Sequence, residues 1–307
     1  MRIPPGGRDP AAELRDDALT QQHEAGRHDP GALTGAVPVS ASLGRAREAA
    51  STRWRRATAR LRPLPDVVII GAQRSGTTSL FDWLALHPAV APSITKEVHY
   101  FDRFYDNGPA WYRSHFALAL PRRTSIEATP ILLFHPLAPS RAAADLPART
   151  RFVVLLREPA QRAISQYWHS RRIGAEDQPL ERALALEDER MAGQEALVAA
   201  GGESFAFRNF SYKARGRYAE QLRRWFAAVD RDRFLVMESE RLFTDPHGPA
   251  EVLAWLGLAP HEVPFPASND APRAHPEDPA VVAELRRFFA PFNDELAELL
   301  GRAMWGG

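Results

Sequence analysis

Residues 71–80 read Gly-Ala-Gln-Arg-Ser-Gly-Thr-Thr-Ser-Leu, and their neighbours on both sides tell what the stretch does. Four apolar residues precede it (Val67, Val68, Ile69, Ile70), and an apolar-periodic run follows (Leu80, Phe81, Leu84, Leu86). That order predicts a buried strand, a tight glycine loop and the start of a helix. Successive backbone N–H groups at the head of a helix form an anion site, to which the helix dipole adds. Gly71 and Gly76 let the backbone approach a phosphate, and Thr77 and Thr78 supply hydroxyls. The G-x-x-x-x-G spacing continues as Thr-Thr, however, and not as the Lys-Ser/Thr of a nucleoside-triphosphatase loop. The cation sits inside the loop, at Arg74.

Working outward, residues 1–62 are rich in Pro, Gly, Ala, Arg and acidic groups. So few large apolar side chains cannot offset the entropy of ordering, which predicts a disordered or loosely helical extension, with a possible basic helix over 45–62. The expected folded domain is 63–307. Strands are predicted at Val67–Ile70, Arg151–Leu156 and Phe234–Met237. Helices are predicted at Thr77–Leu86, Ala160–Arg172, Leu180–Ala200, Tyr218–Val229, Pro249–Leu256 and Ala280–Leu300. Strands alternating with helices imply an α/β fold: a P-loop-type parallel sheet with helices on both faces. Ligands in such sheets bind beyond the carboxyl ends of the strands.

Composition narrows the chemistry. The chain has 307 residues, 45% of them hydrophobic, and a formal charge of +1. That is enough for one large core, and the charge gives no general reason to expect nucleic acid. There is no cysteine, which excludes disulfides, thiolate nucleophiles and Cys-ligated metals. The ten histidines show no H-E-x-x-H spacing, so no metal is expected. No run approaches a membrane span, and MRIPPGGRDP lacks a signal-peptide core. A soluble, cytoplasmic protein is the expectation. Only two of the 39 basic residues are lysine, Lys96 and Lys213.

The second apolar run, Arg151–Leu156, leads straight into Arg157, Glu158 and Pro159. Pro159 suits the first turn of a helix. Arg157 then falls at the ligand edge of the sheet, and Ser165 lies under two turns into the helix. An arginine fork with a hydroxyl suits a second phosphate, so the two motifs together imply a nucleotide with anions at both its 5′ and 3′ ends.

Several ordered segments now carry a family resemblance: GAQRSGTTSL, then KEVHYFD (96–102), EATP (127–130) and LLREPAQRAISQYWH (155–169), with GRYAEQLRRW (216–225), LVMESERLFTDP (235–246) and PRAHPEDP (272–279) further on. This set resembles the sulfotransferases that use 3′-phosphoadenosine 5′-phosphosulfate (PAPS). The likeness is to the heparan-sulfate-type and bacterial carbohydrate branch. It implies the sulfotransferase fold over a single domain and transfer of a sulfuryl group from PAPS to a hydroxyl, less readily an amine, of a carbohydrate or small-metabolite acceptor. By resemblance, Arg74, Ser75, Gly76, Thr77 and Thr78 cradle the 5′-phosphosulfate, and Arg157, Ser165 and Arg273 hold the other phosphate. Glu97 takes the place of the catalytic base, with Arg74, Lys96 and His99 as further catalytic groups. Lys96, His99, Asp102 and Glu127 fall at acceptor-binding positions.

The chain departs from the family at two places. Ala128 stands where E-K-[ST]-P has lysine, and Ala271-Pro272 precede Arg273 where the family has Lys-Gly. Lys213 is a candidate to replace the second lysine. Two other classes stay open: a P-loop kinase, for which Glu238 is the sole acidic candidate at a strand end, and a catalytically silent nucleotide-binding protein on the same fold.

Overall fold

The computed structural model describes residues 50–119, 123–261, 263–266 and 278–305. Five parallel strands form one sheet in the order β2-β3-β1-β4-β5. They are β1 (Val67–Gly71), β2 (Val90–Pro92), β3 (Thr124–Ala128), β4 (Arg151–Leu156) and β5 (Phe234–Glu238). The three strands predicted from apolar runs are present and adjacent, β1 and β4 inside the sheet and β5 at its edge. Strands β2 and β3 are not apparent as such runs: β3 reads TSIEA, and its burial comes from lying between β2 and β1.

Alternate side chains of β1 enter two different cores, as a two-residue strand period requires. Val68 and Ile70 join Phe152, Val154 and Leu156 of β4 beneath the helix Tyr218–Ala228, which contributes Leu222 and Trp225. Val67 and Ile69 join Val153 and Leu155 on the other face, against Leu80, Phe81 and Leu84 of the helix Thr77–Ala85 and Val252 and Leu253 of the helix His247–Leu256. Helices therefore cover both faces, as the alternation of elements predicted.

The helix Pro159–Arg172 follows β4 directly, with Glu158 capping it by accepting from the N–H groups of Ala160 and Gln161. The segment expected as one helix over 180–200 is instead three, Leu180–Ala185, Glu187–Met191 and Gln194–Ala199. Gly193 at φ 74° interrupts the last two, a left-handed conformation that only glycine adopts cheaply. Residues 50–57 are helical, within the stretch where a basic helix was anticipated. Arg55 and Arg62 tie this region to the domain by donating to the carbonyls of Ser114 and Phe116.

Candidate active site

The glycine loop leaves β1 at the carboxyl edge of the sheet and turns into the helix Thr77–Ala85 through Gly76, at φ 78°. A Cβ added at Gly76 would meet the Phe243 ring at 2.9 Å, so both conformation and space demand glycine there. The first-turn N–H groups of that helix have no intrahelical acceptors. Ser75 Oγ is buried and makes no hydrogen bond among the described residues. The N–H groups at a helix head, a buried hydroxyl without a partner among the described residues and a nearby arginine suit a phosphate or sulfate oxygen.

Three groups predicted from separate motifs converge here. Arg74 donates through Nε to Ser165 Oγ at 3.2 Å, and Arg157 Nη1 reaches the Arg74 carbonyl at 3.5 Å. The loop after β1 and the helix after β4 thus share one anion-facing corner. Arg273 lies outside the described residues, as do Ala271 and Pro272. Lys213 does not join this corner: it pairs with Asp188 at 3.6 Å and lies over the Phe288 ring.

The second half of the site is the segment after β2. Its backbone runs along the end of β3, with Ser93 N–H donating to the Ile126 carbonyl (2.9 Å) and Glu97 N–H to the Ala128 carbonyl (2.8 Å). Val98 and Tyr100 anchor it in the core, where Tyr100 stacks on Tyr112 at 4.5 Å. Pinned this way, the charged side chains between them form a chain of contacts. Lys96 Nζ lies 2.8 Å from Glu97 Oε1, His99 Nε2 3.4 Å from Glu97 Oε2, and His99 Nδ1 2.9 Å from Asp102 Oδ2.

Arg74, Glu97 and His99 all have positive φ, 70°, 60° and 56°. Each such residue costs about 1–3 kcal/mol. Burying one Val, Leu or Ile side chain contributes about 1.5–3 kcal/mol, so the two cores hold these conformations in place.

Electrostatics fix the protonation pattern. Burial disfavours ionisation of Glu97, but the His99 hydrogen bond and the Lys96 charge outweigh it and hold the carboxyl at about 2. Burial also disfavours a charged His99, yet the Asp102 charge and hydrogen bond prevail and raise it to about 9. Asp102, likewise opposed by burial, is held well below the usual carboxylate range by His99 and then Arg208. At neutral pH Glu97 and Asp102 are therefore ionised and His99 is protonated.

Two residues expected at the acceptor instead face inward. Asp102 has a fully buried side chain and acts on His99. Glu127 is 1% exposed, its carboxylate accepting from Tyr112 OH (2.9 Å) and from Thr129 Oγ1. Burial, only partly offset by these bonds, raises its pKa. Glu127 is thus a support under the segment, since Thr129 Oγ1 also accepts from His99 N–H at 3.4 Å. Tyr100, Phe101 and Tyr112, in and just beyond this segment, are core.

Two arginines give no signal in the sequence. Arg215 is 3% exposed; it donates through Nη1 to Gln73 Oε1 in the glycine loop and through Nη2 to the carbonyls of Phe207 (2.9 Å) and Arg208 (2.8 Å). Burial, then Arg162 and Arg208, lowers its pKa to about 9. Arg208 Nη2 in turn lies 3.2 Å from Asp102 Oδ2.

The chain matches known proteins across this site. Residues 64–262 match the sulfotransferase domain family. Human heparan sulfate glucosamine 3-O-sulfotransferase 6 is 31% identical over 271 residues, 80% of this chain and 75% of that protein. Human heparan sulfate glucosamine 3-O-sulfotransferase 5 is 28% identical over 268 residues, 78% of this chain and 73% of that protein. The crystal structure of a sulfotransferase from Alicyclobacillus acidocaldarius superposes with a TM-score of 0.63 at 26% identity, covering 79% of this chain and 98% of that one. The chain belongs to the sulfotransferase family, enzymes that transfer sulfate from PAPS, and is related to its heparan-sulfate type.

Proposed function

We propose that this enzyme sulfates a hydroxyl of a carbohydrate, with Glu97 removing the hydroxyl proton. The observation that carries the proposal is the cluster Lys96–Glu97–His99–Asp102, seated at the same sheet edge as the glycine loop. PAPS, when bound, supplies a sulfuryl group activated by its link to phosphate. The residues at hand fit its two ends. The loop from Arg74 to Thr78, with its unpaired Ser75 hydroxyl, suits the 5′ end, and Arg157 with Ser165 suits the 3′-phosphate.

Glu97 is ionised at neutral pH and therefore ready to accept a proton as the acceptor oxygen attacks in line. Its affinity for that proton in the resting site is low, because Lys96 and His99 both donate to it. Those same N–H groups suit sulfuryl oxygens. Each donor drawn away from Glu97 strengthens it as a base. Arg74, permanently charged, offsets the negative charge that develops on the leaving phosphate but carries no proton to give. Asp102 holds the His99 ring with Nε2–H toward Glu97.

The carbohydrate class comes from the relatives, which are named as heparan sulfate glucosamine 3-O-sulfotransferases. The test is transfer of labelled sulfate from PAPS to a panel of heparan-type oligosaccharides and phenols, followed by mass spectrometry of the product. A carbohydrate product that gains one sulfate is expected. Transfer to phenols alone would overturn the acceptor class.

A further inference from the structure

The catalytic machinery uses none of the basic stretch that precedes the sheet, Arg53-Trp54-Arg55-Arg56 and then Arg60-Leu61-Arg62. Residues 50–57 are helical, and the winding continues past them. Thr58 N–H donates to the Trp54 carbonyl (2.9 Å), Leu61 N–H to Thr58 (3.0 Å) and Arg62 N–H to Ala59 (3.0 Å). Helical winding of this kind sorts the side chains into two sides.

The inward side carries Arg55, Ala59 and Arg62. Ala59 and Arg62 are buried. Arg55 donates to the carbonyls of Ser114 (2.7 Å) and Phe116 (2.8 Å), and Arg62 to that of Phe116 (2.6 Å). Arg113 closes the joint by donating to the Arg62 carbonyl at 2.7 Å. The element is thus fastened to the domain along one side, and the other side faces out.

Two adjacent rows make up the outward side. Arg53, Arg56 and Arg60 form one, all exposed. Trp54 and Leu61, seven residues or two turns apart, form the other, 52% and 64% exposed. The Arg62 guanidinium lies 4.8 Å from the Trp54 ring centroid. Because Arg62 is buried, it covers the inner face of the indole and leaves the outer face to solvent. Ala119 N–H donates to the Leu61 carbonyl at 3.1 Å, which brings exposed Leu118 alongside and widens the apolar row. Singly exposed apolar side chains are ordinary, but grouped ones mark an interaction surface.

Charge here is unbalanced. Residues 50–65 contain no Asp or Glu, nor do 108–126, the stretch to which they are fastened. Asp66, the next acid along the chain, is engaged by Arg149 (3.3 Å) and Ser125 (3.0 Å). Burial, and then the neighbouring Arg62 charge, lowers the Arg55 pKa. A row of arginines beside Trp and Leu, on a convex helix face, fits a partner that offers negative charge and apolar depth together and needs no cleft. An anionic lipid surface offers both: guanidinium groups meet headgroup phosphates, while indole and leucyl groups enter the acyl boundary. A soluble polyanion matches the arginines but gives Trp54 and Leu61 no apolar surroundings.

We infer that this face docks the enzyme on an anionic phospholipid surface, with Arg53, Arg56 and Arg60 on the headgroups and Trp54 and Leu61 inserted. Docking of this kind needs no membrane-spanning helix. It is independent of which acceptor is sulfated.

The test is co-sedimentation of the full chain with vesicles of phosphatidylcholine, alone or with a quarter phosphatidylglycerol. Each arginine near an anionic surface raises binding about 5-fold. The anionic vesicles should therefore be bound about 100-fold more tightly, and the preference should vanish in about 1 M salt. Changing Arg53→Gln, Arg56→Gln and Arg60→Gln together should bring binding down to the neutral level. Trp54→Ser with Leu61→Ser should weaken it at least about 10-fold at unchanged charge. Brominated phosphatidylcholine should quench the fluorescence of the unaltered chain more than that of Trp54→Phe, which reads insertion of this ring. Melting temperature, expected to be unchanged because the altered side chains are exposed, separates lost docking from lost folding. Equal binding to both vesicles, no binding by the full chain, or a preference that survives the triple arginine change overturns the inference. Quenching that is identical in Trp54→Phe overturns it too. So does binding to anionic vesicles and a heparin oligosaccharide alike that ignores the Trp54 and Leu61 changes, since the face would then be a polyanion site.

Discussion

Arg74 Nε donates to Ser165 Oγ at 3.2 Å, and through this bond the loop after β1 is tied to the helix after β4. The two residues are 91 apart in sequence. Their meeting makes one corner from two motifs that each, taken alone, could be an ordinary strand-end turn. With Arg157 reaching the Arg74 backbone from the same side, the corner has cationic and hydroxyl groups for two anions.

The corner predicts which nucleotide is preferred. Arg157→Gln should weaken adenosine 3′,5′-bisphosphate by about 10–100-fold, the scale of a lost hydrogen bond to a charged group. AMP, which lacks the 3′-phosphate, should lose little. Calorimetric titration of both ligands checks this, and equal losses would remove Arg157 from the 3′ end.

The charge pattern predicts a pH profile. His99 is raised from 6.5 to about 9, so its proton is present at neutral pH and is lost as pH rises through about 9. Glu97 is lowered from 4.5 to about 2, so it stays ionised down to about pH 2. kcat/KM should therefore be level through neutral pH and fall on the alkaline side near pH 9. Stability follows the same groups by linkage. The His99 contribution is complete below its unfolded pKa and lost toward pH 9, and the Glu97 contribution is complete above its unfolded pKa and lost toward pH 2. His99→Gln should remove the alkaline limb; a limb that persists unchanged belongs to another group.

Tyr112→Phe tests the support beneath the site. It deletes the hydroxyl that donates to the buried Glu127 carboxylate and leaves that oxygen short of a partner. A loss of about 1–3 kcal/mol in urea unfolding is expected. A change below about 0.5 kcal/mol, the range of ordinary surface substitutions, would mean that the bond carries no weight.

Gly76→Ala combines a left-handed backbone with a contact to Phe243 at 2.9 Å. The conformational part alone costs about 1–2 kcal/mol. Because the strain falls at the head of the anion-binding helix, bisphosphate affinity should fall along with melting temperature. Alanine accepted there without either change would contradict the loop geometry.

What the sequence disclosed follows a physical pattern. Strands β1, β4 and β5 could be read because they are buried on both faces and so are continuously apolar, and the glycine loop could be read because its residue types are tied to its backbone. Strand β3 (TSIEA) and the three-residue β2 owe their state to neighbours far along the chain. Glu97, His99 and Asp102 are legible together because they lie within one short segment. Arg208, 106 residues from Asp102, and Arg215, 142 residues from Gln73, obey no spacing rule. The inward turn of Glu127 was hidden for the same reason, since only the packing of Tyr112 against it makes it a support.

The measurement that bears most directly on the central claim is the single-turnover rate of sulfate transfer in Glu97→Gln, with bisphosphate affinity measured in parallel. Removing a general base should slow transfer by about 10²–10⁴-fold, and unchanged bisphosphate affinity separates that loss from a loss of donor binding. Transfer at the unaltered rate would contradict the assignment of Glu97 as the base.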